Sequence, residues 1–176
     1  MAFNSGASSG NLVLLSSQLA SGASIIEFKS VITTAFDDYV LRCSNVTGAG
    51  GANVAQFQYS TNNGVSYLSA ANYNRTGLFS NSAGGGFYFT GGQTAGYVVP
   101  EIDTSGTQQC ISIVNFMNIT AGTVNPCLFG QSMMGPATRM DNWAYEYAGA
   151  IAVNALKVYP DAGTFSGTFK LYGVQK

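Results

Sequence analysis

The chain has 176 residues and a formal net charge of −1, with 9% charged and 46% hydrophobic residues. Its few charges are scattered singly, which excludes nucleic-acid binding by phosphate neutralisation, and no apolar run reaches the length of a bilayer-spanning helix. Ten Tyr and eleven Phe exclude a disordered chain, so the composition predicts one folded domain with a neutral, hydroxyl-rich surface suited to packing against copies of itself or against sugars.

Residues 1–10, MAFNSGASSG, carry no basic start and no apolar secretory core. They read as an N-terminal arm, with Ala2, Phe3 and Asn4 as candidate anchoring residues, on a chain made without a signal peptide. The remainder, 11–176, reads as a single β domain. NLVLLSSQ is the first strand, and Gly22 separates it from SIIEFKS, where Ile26 and Phe28 alternate with Glu27 and Lys29. FDDYVLRCSNV places Tyr39, Leu41 and Cys43 on one face. After the glycine-rich stretch 48–51, AQFQYS places Ala55, Phe57 and Tyr59 together, and Asn63-Gly64 is a strong hairpin signal.

Short glycine-fenced runs follow, GGGFYFTGG and AGYVVPEID, with 84–86 read as a loop. CISIVNFMNIT is apolar on both parities and predicts a strand buried on both faces or carrying a bulge. NPCLFGQSMMG is a weaker run. In WAYEYAGAIAVNALKVY the alternation of Trp143, Tyr145 and Tyr147, and of Leu156 and Val158, favours strands over a helix. Pro160 and Gly163 turn the chain into GTFSGTFKLYGVQK, a closing strand that is expected to pair beside NALKVY. About ten short strands with turn signals every 8 to 12 residues predict an all-β, jelly-roll-like antiparallel sandwich.

The chain has no histidine. Ser-His-Asp and Cys-His catalysis are therefore excluded, together with most zinc sites. Cys43, Cys110 and Cys127 are widely spaced and odd in number, which fits small buried hydrophobes and not a disulfide framework or a metal motif. No cofactor is implied. Glu101 and Asp103, two apart, would share a face on a strand, and Asp37 and Asp38 are adjacent; a glycosidase-type site needs such a carboxylate pair, but loop solvation and turn formation are the plainer reading. Trp143, Tyr145 and Tyr147 on one strand face admit three readings: core filling, a subunit interface, or a flat platform for stacking sugars.

Three stretches carry a resemblance. LVLLSSQLASGASIIEF with FDDYVLRCSNV, then AQFQYSTNNGVSY, then VNALKVYPDAGTFSGTFKLYGVQK with its SGTxxLYG-like close, resemble the small β-sandwich virion structural proteins of tailed bacteriophages. Residues 70–140 match no part of that pattern. The resemblance implies a non-enzymatic protein located in the virion, most simply an oligomeric capsid decoration (cement) protein. It would form a homo-oligomer, typically a trimer, with the major capsid protein or another virion protein as partner. The alternative it implies is a tail-fibre or receptor-binding module recognising host surface glycans; a glycan depolymerase is the third reading. Neither nucleic acid nor a membrane is an expected partner.

Overall fold

In the computed structural model the described residues are 11–105, 108–134 and 139–175; the proposed arm residues Ala2, Phe3 and Asn4 lie outside them. Twelve strands form two antiparallel sheets. They are β1 (Leu12–Ala23), β2 (Ile26–Lys29), β3 (Tyr39–Ala49), β4 (Ala55–Ser60), β5 (Tyr73–Asn81), β6 (Gly84–Gln93), β7 (Gly96–Val99), β8 (Cys110–Met117), β9 (Cys127–Met134), β10 (Arg139–Tyr147), β11 (Ala155–Pro160) and β12 (Thr164–Val174). The larger sheet runs β1-β12-β3-β8-β9-β10-β5-β6 and the smaller β2-β11-β4-β7.

This order has a simple origin. Without the hairpins β5–β6 and β9–β10, the remaining strands form two four-stranded sheets, β1-β12-β3-β8 facing β2-β11-β4-β7. That is the double Greek key of a jelly roll. Both hairpins then add to the same edge of the larger sheet and double its width, which leaves it far wider than its partner.

The predicted faces hold where one side of a strand is buried. Tyr39, Leu41 and Cys43 of β3, Ala55, Phe57 and Tyr59 of β4, and Leu156 and Val158 of β11 all point into the core. Four expectations are corrected. β12 does not pair with β11; it lies between β1 and β3, so the turn at 161–163 carries the chain from one sheet to the other. That corner is tight. Gly163 has φ +60°, and a Cβ there would lie 2.1 Å from the Ala49 carbonyl oxygen. Asp161 fixes it from the other side, its Oδ1 accepting from the Asn53 and Val54 amides at 2.8 and 3.2 Å.

Asn63-Gly64 does turn with positive φ at both residues (55° and 80°), but it joins no hairpin. β4 and β5 belong to different sheets, and the side chains of Ser60 and Asn154 accept the Gly64 and Asn63 amides, holding the turn within a long crossover. Gly84–Gly86 is strand, not loop, and forms the start of β6. β8 is buried on one face only: Cys110, Ser112, Val114 and Phe116 point inward, whereas Ile111, Ile113 and Met117 are exposed.

Two predictions follow from this arrangement. Deleting residues 165–176 removes a strand that is interior to the larger sheet and opens β1 and β3 at once, so the truncated chain is expected to be insoluble, as read by soluble yield and loss of a cooperative melt. The three cysteines are free thiols. Burial pushes Cys43 and Cys110 up to about 12, while Cys127 is only half-buried on the outer face. A thiol reagent at about pH 8 should therefore titrate Cys127 alone in the native chain, and all three after denaturation.

Candidate interaction face

The inner face of β10 settles the aromatic line. Trp143, Tyr145 and Tyr147 are 1%, 4% and 5% exposed. Trp143 lies between Gly77 of β5 and Gly130 of β9, its partners on either side. A Cβ at Gly130 would come within 2.4 Å of the indole. The indole Nε1 donates to the Tyr97 carbonyl at 3.1 Å, which ties the larger sheet to the smaller. Tyr145 and Tyr147 meet Phe57 and Tyr59 of β4 edge to face, at 6.0 and 6.1 Å. The three rings fill the core. They are not an exposed sugar platform, because the inward parity of β10 packs beneath β4 and β7.

Glu101 and Asp103 lie in the loop after β7, not on a strand, and each is engaged. Glu101 forms an ion pair with Arg139, whose guanidinium also grips the buried Asp141 at 2.9 Å. Asp103 accepts from the amides of Ser105 and Gln108 at 3.0 and 2.7 Å. These contacts assign both carboxylates to loop closure.

The structure draws attention instead to the outer face of the larger sheet. Because side chains alternate, cross-strand partners align in rows. One row crosses every strand: Ser17, Lys170, Arg42, Ile113, Gln131, Asn142, Leu78, Phe87. A neighbouring row includes Tyr172, Asn115, Phe129, Ala144, Thr76 and Phe89. Ile111, Met133 and Met140 align on the other side. This face holds a large share of the exposed apolar side chains, including Ile111, Ile113, Phe129, Met133, Met140, Leu78, Phe87 and Phe89.

The charges on these rows have one sign. Arg42 and Lys170 are direct cross-strand partners, and like charges so placed repel. No carboxylate pairs with either among the described residues. Arg42 rests on the Tyr172 ring, 5.3 Å from its centroid. Beside them Gln131 donates to Asn142 across β9 and β10 at 2.8 Å. A groove of about 460 Å³ runs over this region, walled by Ile111, Ile113, Met133 and Met140 and ended by the two cations. Chemically it offers apolar area, two amides and a positive pair, which together favour a partner that brings an anionic group with an apolar or hydroxylated body.

Sequence reasoning did not find this face. Arg42 and Lys170 stand 128 positions apart and meet only through the β3–β12 register. A partial signal was present in the apolar residues on both parities of β8.

No protein-family model matches the chain, and no curated protein matches it. Among solved structures, a galectin of Caenorhabditis elegans aligns over 89% of this chain and 95% of its own, at 9% identity and a TM-score of 0.38. The marine PL-14 alginate lyase of Aplysia kurodai aligns over 84% of this chain and 72% of its own, at 11% identity and a TM-score of 0.39.

Replacing Trp143 by Ala should cost about 3–5 kcal/mol of folding stability, measured by denaturant unfolding. A variant as stable as the parent would contradict the core assignment.

Proposed function

We propose that the chain is a structural protein of a bacteriophage particle, of the capsid-decoration type, that docks through the outer face of its larger sheet. The observation supporting this reading is the width and chemistry of that face. Eight strands spaced ~4.8 Å apart and about eight residues long span roughly 35 by 25 Å, near 900 Å². A stable protein contact takes about 800 Å² per partner. Clustered exposed apolar side chains, as at Ile111, Ile113, Phe129, Met133 and Met140, mark interaction surfaces.

The face is rigid because it belongs to a hydrogen-bonded sheet backed by the core, so little ordering entropy opposes docking. Burial of Ile111, Ile113, Phe129, Met133 and Met140 would supply affinity. Arg42 and Lys170 would supply orientation, seeking an acidic side chain on the shell protein. Many copies on one shell would add by avidity. A homo-oligomer, the trimer implied by the resemblance included, would multiply the number of docking faces per assembly.

A tail module that binds host glycans is the second reading, and the same groove favours it. The Gln131–Asn142 amides and the cation pair suit a hydroxylated ligand bearing a carboxylate. On either reading the carboxylates Glu101 and Asp103 are loop elements, and no catalytic role is proposed for them.

Quantitative mass spectrometry of purified particles separates the readings. Copies comparable to the major shell protein support decoration; a small symmetric number supports the tail; absence from the particle overturns both. For the face itself, the double variant Arg42→Glu, Lys170→Glu should lose particle binding by tenfold or more while melting like the parent, since neither side chain has an ionic partner among the described residues. Unchanged binding would rule out this face as the docking surface.

A further inference from the structure

The sheets have four edges, and three are guarded. β2 and β7 span only four residues each, and β2 carries Glu27 and Lys29. β1 is long, but its pairing with β12 is broken by register shifts between Leu14 and Ser16 and between Ala20 and Ala23. Short strands, charges and bulges are the usual devices that keep an edge from pairing.

β6 is ten residues long, and its one register shift against β5 lies beyond the aromatic stretch, between Thr90 and Gln93. Residues 82–93, SAGGGFYFTGGQ, contain no charge and no proline. From Asn81/Gly84 to Arg75/Thr90 the pairing with β5 is regular. Phe87 and Phe89 stand 82% and 78% exposed on the outer face.

Register tells which main-chain groups are free. The hairpin closes on Asn81 and Gly84, so these two residues exchange hydrogen bonds. In an antiparallel ladder such pairs recur at every second position. Phe79/Gly86 and Gly77/Tyr88 are then the bonded pairs, and the N–H and C=O groups of Gly85, Phe87 and Phe89 point away from β5.

The hairpin that carries this edge is held firmly. Its inner side is locked by Arg75, whose guanidinium lies 4.2 Å from the Tyr88 ring centroid and 4.5 Å from that of Tyr97 on β7. Arg139 covers Phe79 in the same way at 4.8 Å. The edge is therefore a preorganised strand and not a loose flap.

We infer that β6 pairs antiparallel with β6 of a second copy about a two-fold axis at Tyr88, joining two larger sheets into one. The occupant is a second copy because the strand is complementary to itself. With the axis at Tyr88, Phe87 of one copy faces Phe89 of the other, and the reverse. These are the residues whose main-chain groups β5 leaves unused, so the central pairs form about four main-chain hydrogen bonds. The four rings meet on the outer face as cross-strand aromatic pairs, a favourable combination. Gly85 and Gly91 flank them and offer no side chain to obstruct the approach. A two-fold contact of this kind is closed and does not propagate into fibres.

The size of the contact sets its strength. Four phenyl rings of roughly 200 Å² each, about four-fifths exposed, offer at most roughly 600 Å² to the joint, with further area from the strand itself. The total lies toward the small end of specific interfaces, which places association in the micromolar range. The pairing does not depend on where the protein resides, so its failure and the failure of the virion reading are separate results.

Sedimentation of the full chain from about 1 to 100 µM tests it. A monomer–dimer equilibrium is expected. Phe87→Pro removes one ring of the joint and an N–H that β5 does not use, which edge strands tolerate, and Phe89→Lys places a charge at the joint. Each should weaken association at least tenfold without changing the melt of the monomer. Amide hydrogen exchange gives an independent readout: the Phe87 and Phe89 amides should become protected only as concentration rises, whereas the Tyr88 amide, already bonded to Gly77, is protected throughout. A chain that stays monomeric to about 100 µM, a trimer or dimer indifferent to both variants, or Phe87 and Phe89 amides that exchange alike at all concentrations would each overturn the inference.

Discussion

Phe57 is the point on which the two sheets lock. It rises from β4 in the smaller sheet and meets Tyr73, Phe116 and Tyr145 of the larger sheet edge to face, with ring centroids 5.5 to 6.0 Å apart. Gly96 of β7 makes room for it, since a Cβ there would lie 2.0 Å from the ring. Tyr73 extends the lock by a hydrogen-bond pair, its hydroxyl accepting from the Tyr59 amide at 3.0 Å and donating to the Leu68 carbonyl at 3.1 Å. Aromatic pairs of this geometry stabilise beyond the area they bury. A chain without disulfides thereby holds a sandwich whose sheets differ in width by a factor of two.

That difference in width underlies the functional reading. A jelly roll with equal sheets hides both inner faces and leaves two ordinary outer ones. Here the hairpins β5–β6 and β9–β10 extend only the larger sheet. Their inner sides are occupied by Trp143, the Arg75–Tyr88–Tyr97 stack and the Arg139–Asp141–Glu101 cluster. Their outer sides add Phe129, Met133, Met140, Leu78, Phe87 and Phe89 to a surface that already held Ile111 and Ile113. The extension therefore creates a broad, stiff and largely uncharged face, and the two cations at its β3–β12 end give it polarity. The two added hairpins give a fold shared by many functions one outer surface far broader than the other.

The candidate site was much less legible than the fold. Alternation along β3, β4, β11 and β12 was readable because each has one apolar face and one polar face, and period two translates directly into burial. The same rule failed for β8. Ile111 and Ile113 look like core residues because apolar side chains carry no mark of which sheet face they will meet. Trp143, Tyr145 and Tyr147 posed the opposite problem: a ring line suits a core or a platform equally, and only the presence of β4 and β7 above it decides. β5 was missed because Arg75 and Gly77 interrupt its pattern, although the arginine is held between two rings and the glycine leaves room for the Tyr88 ring.

By itself the sequence determined a single all-β sandwich, with the inward residues of its half-buried strands and no histidine-based chemistry. These are local properties, set by period, composition and the absence of a residue type. Tertiary structure decided everything that depends on which strands become neighbours. It placed β12 between β1 and β3, brought Lys170 beside Arg42, and left β6 at the edge of the larger sheet. Strand pairing is a long-range choice made by packing and loop closure across the whole chain, and adjacency between residues 128 positions apart leaves no trace in either segment alone.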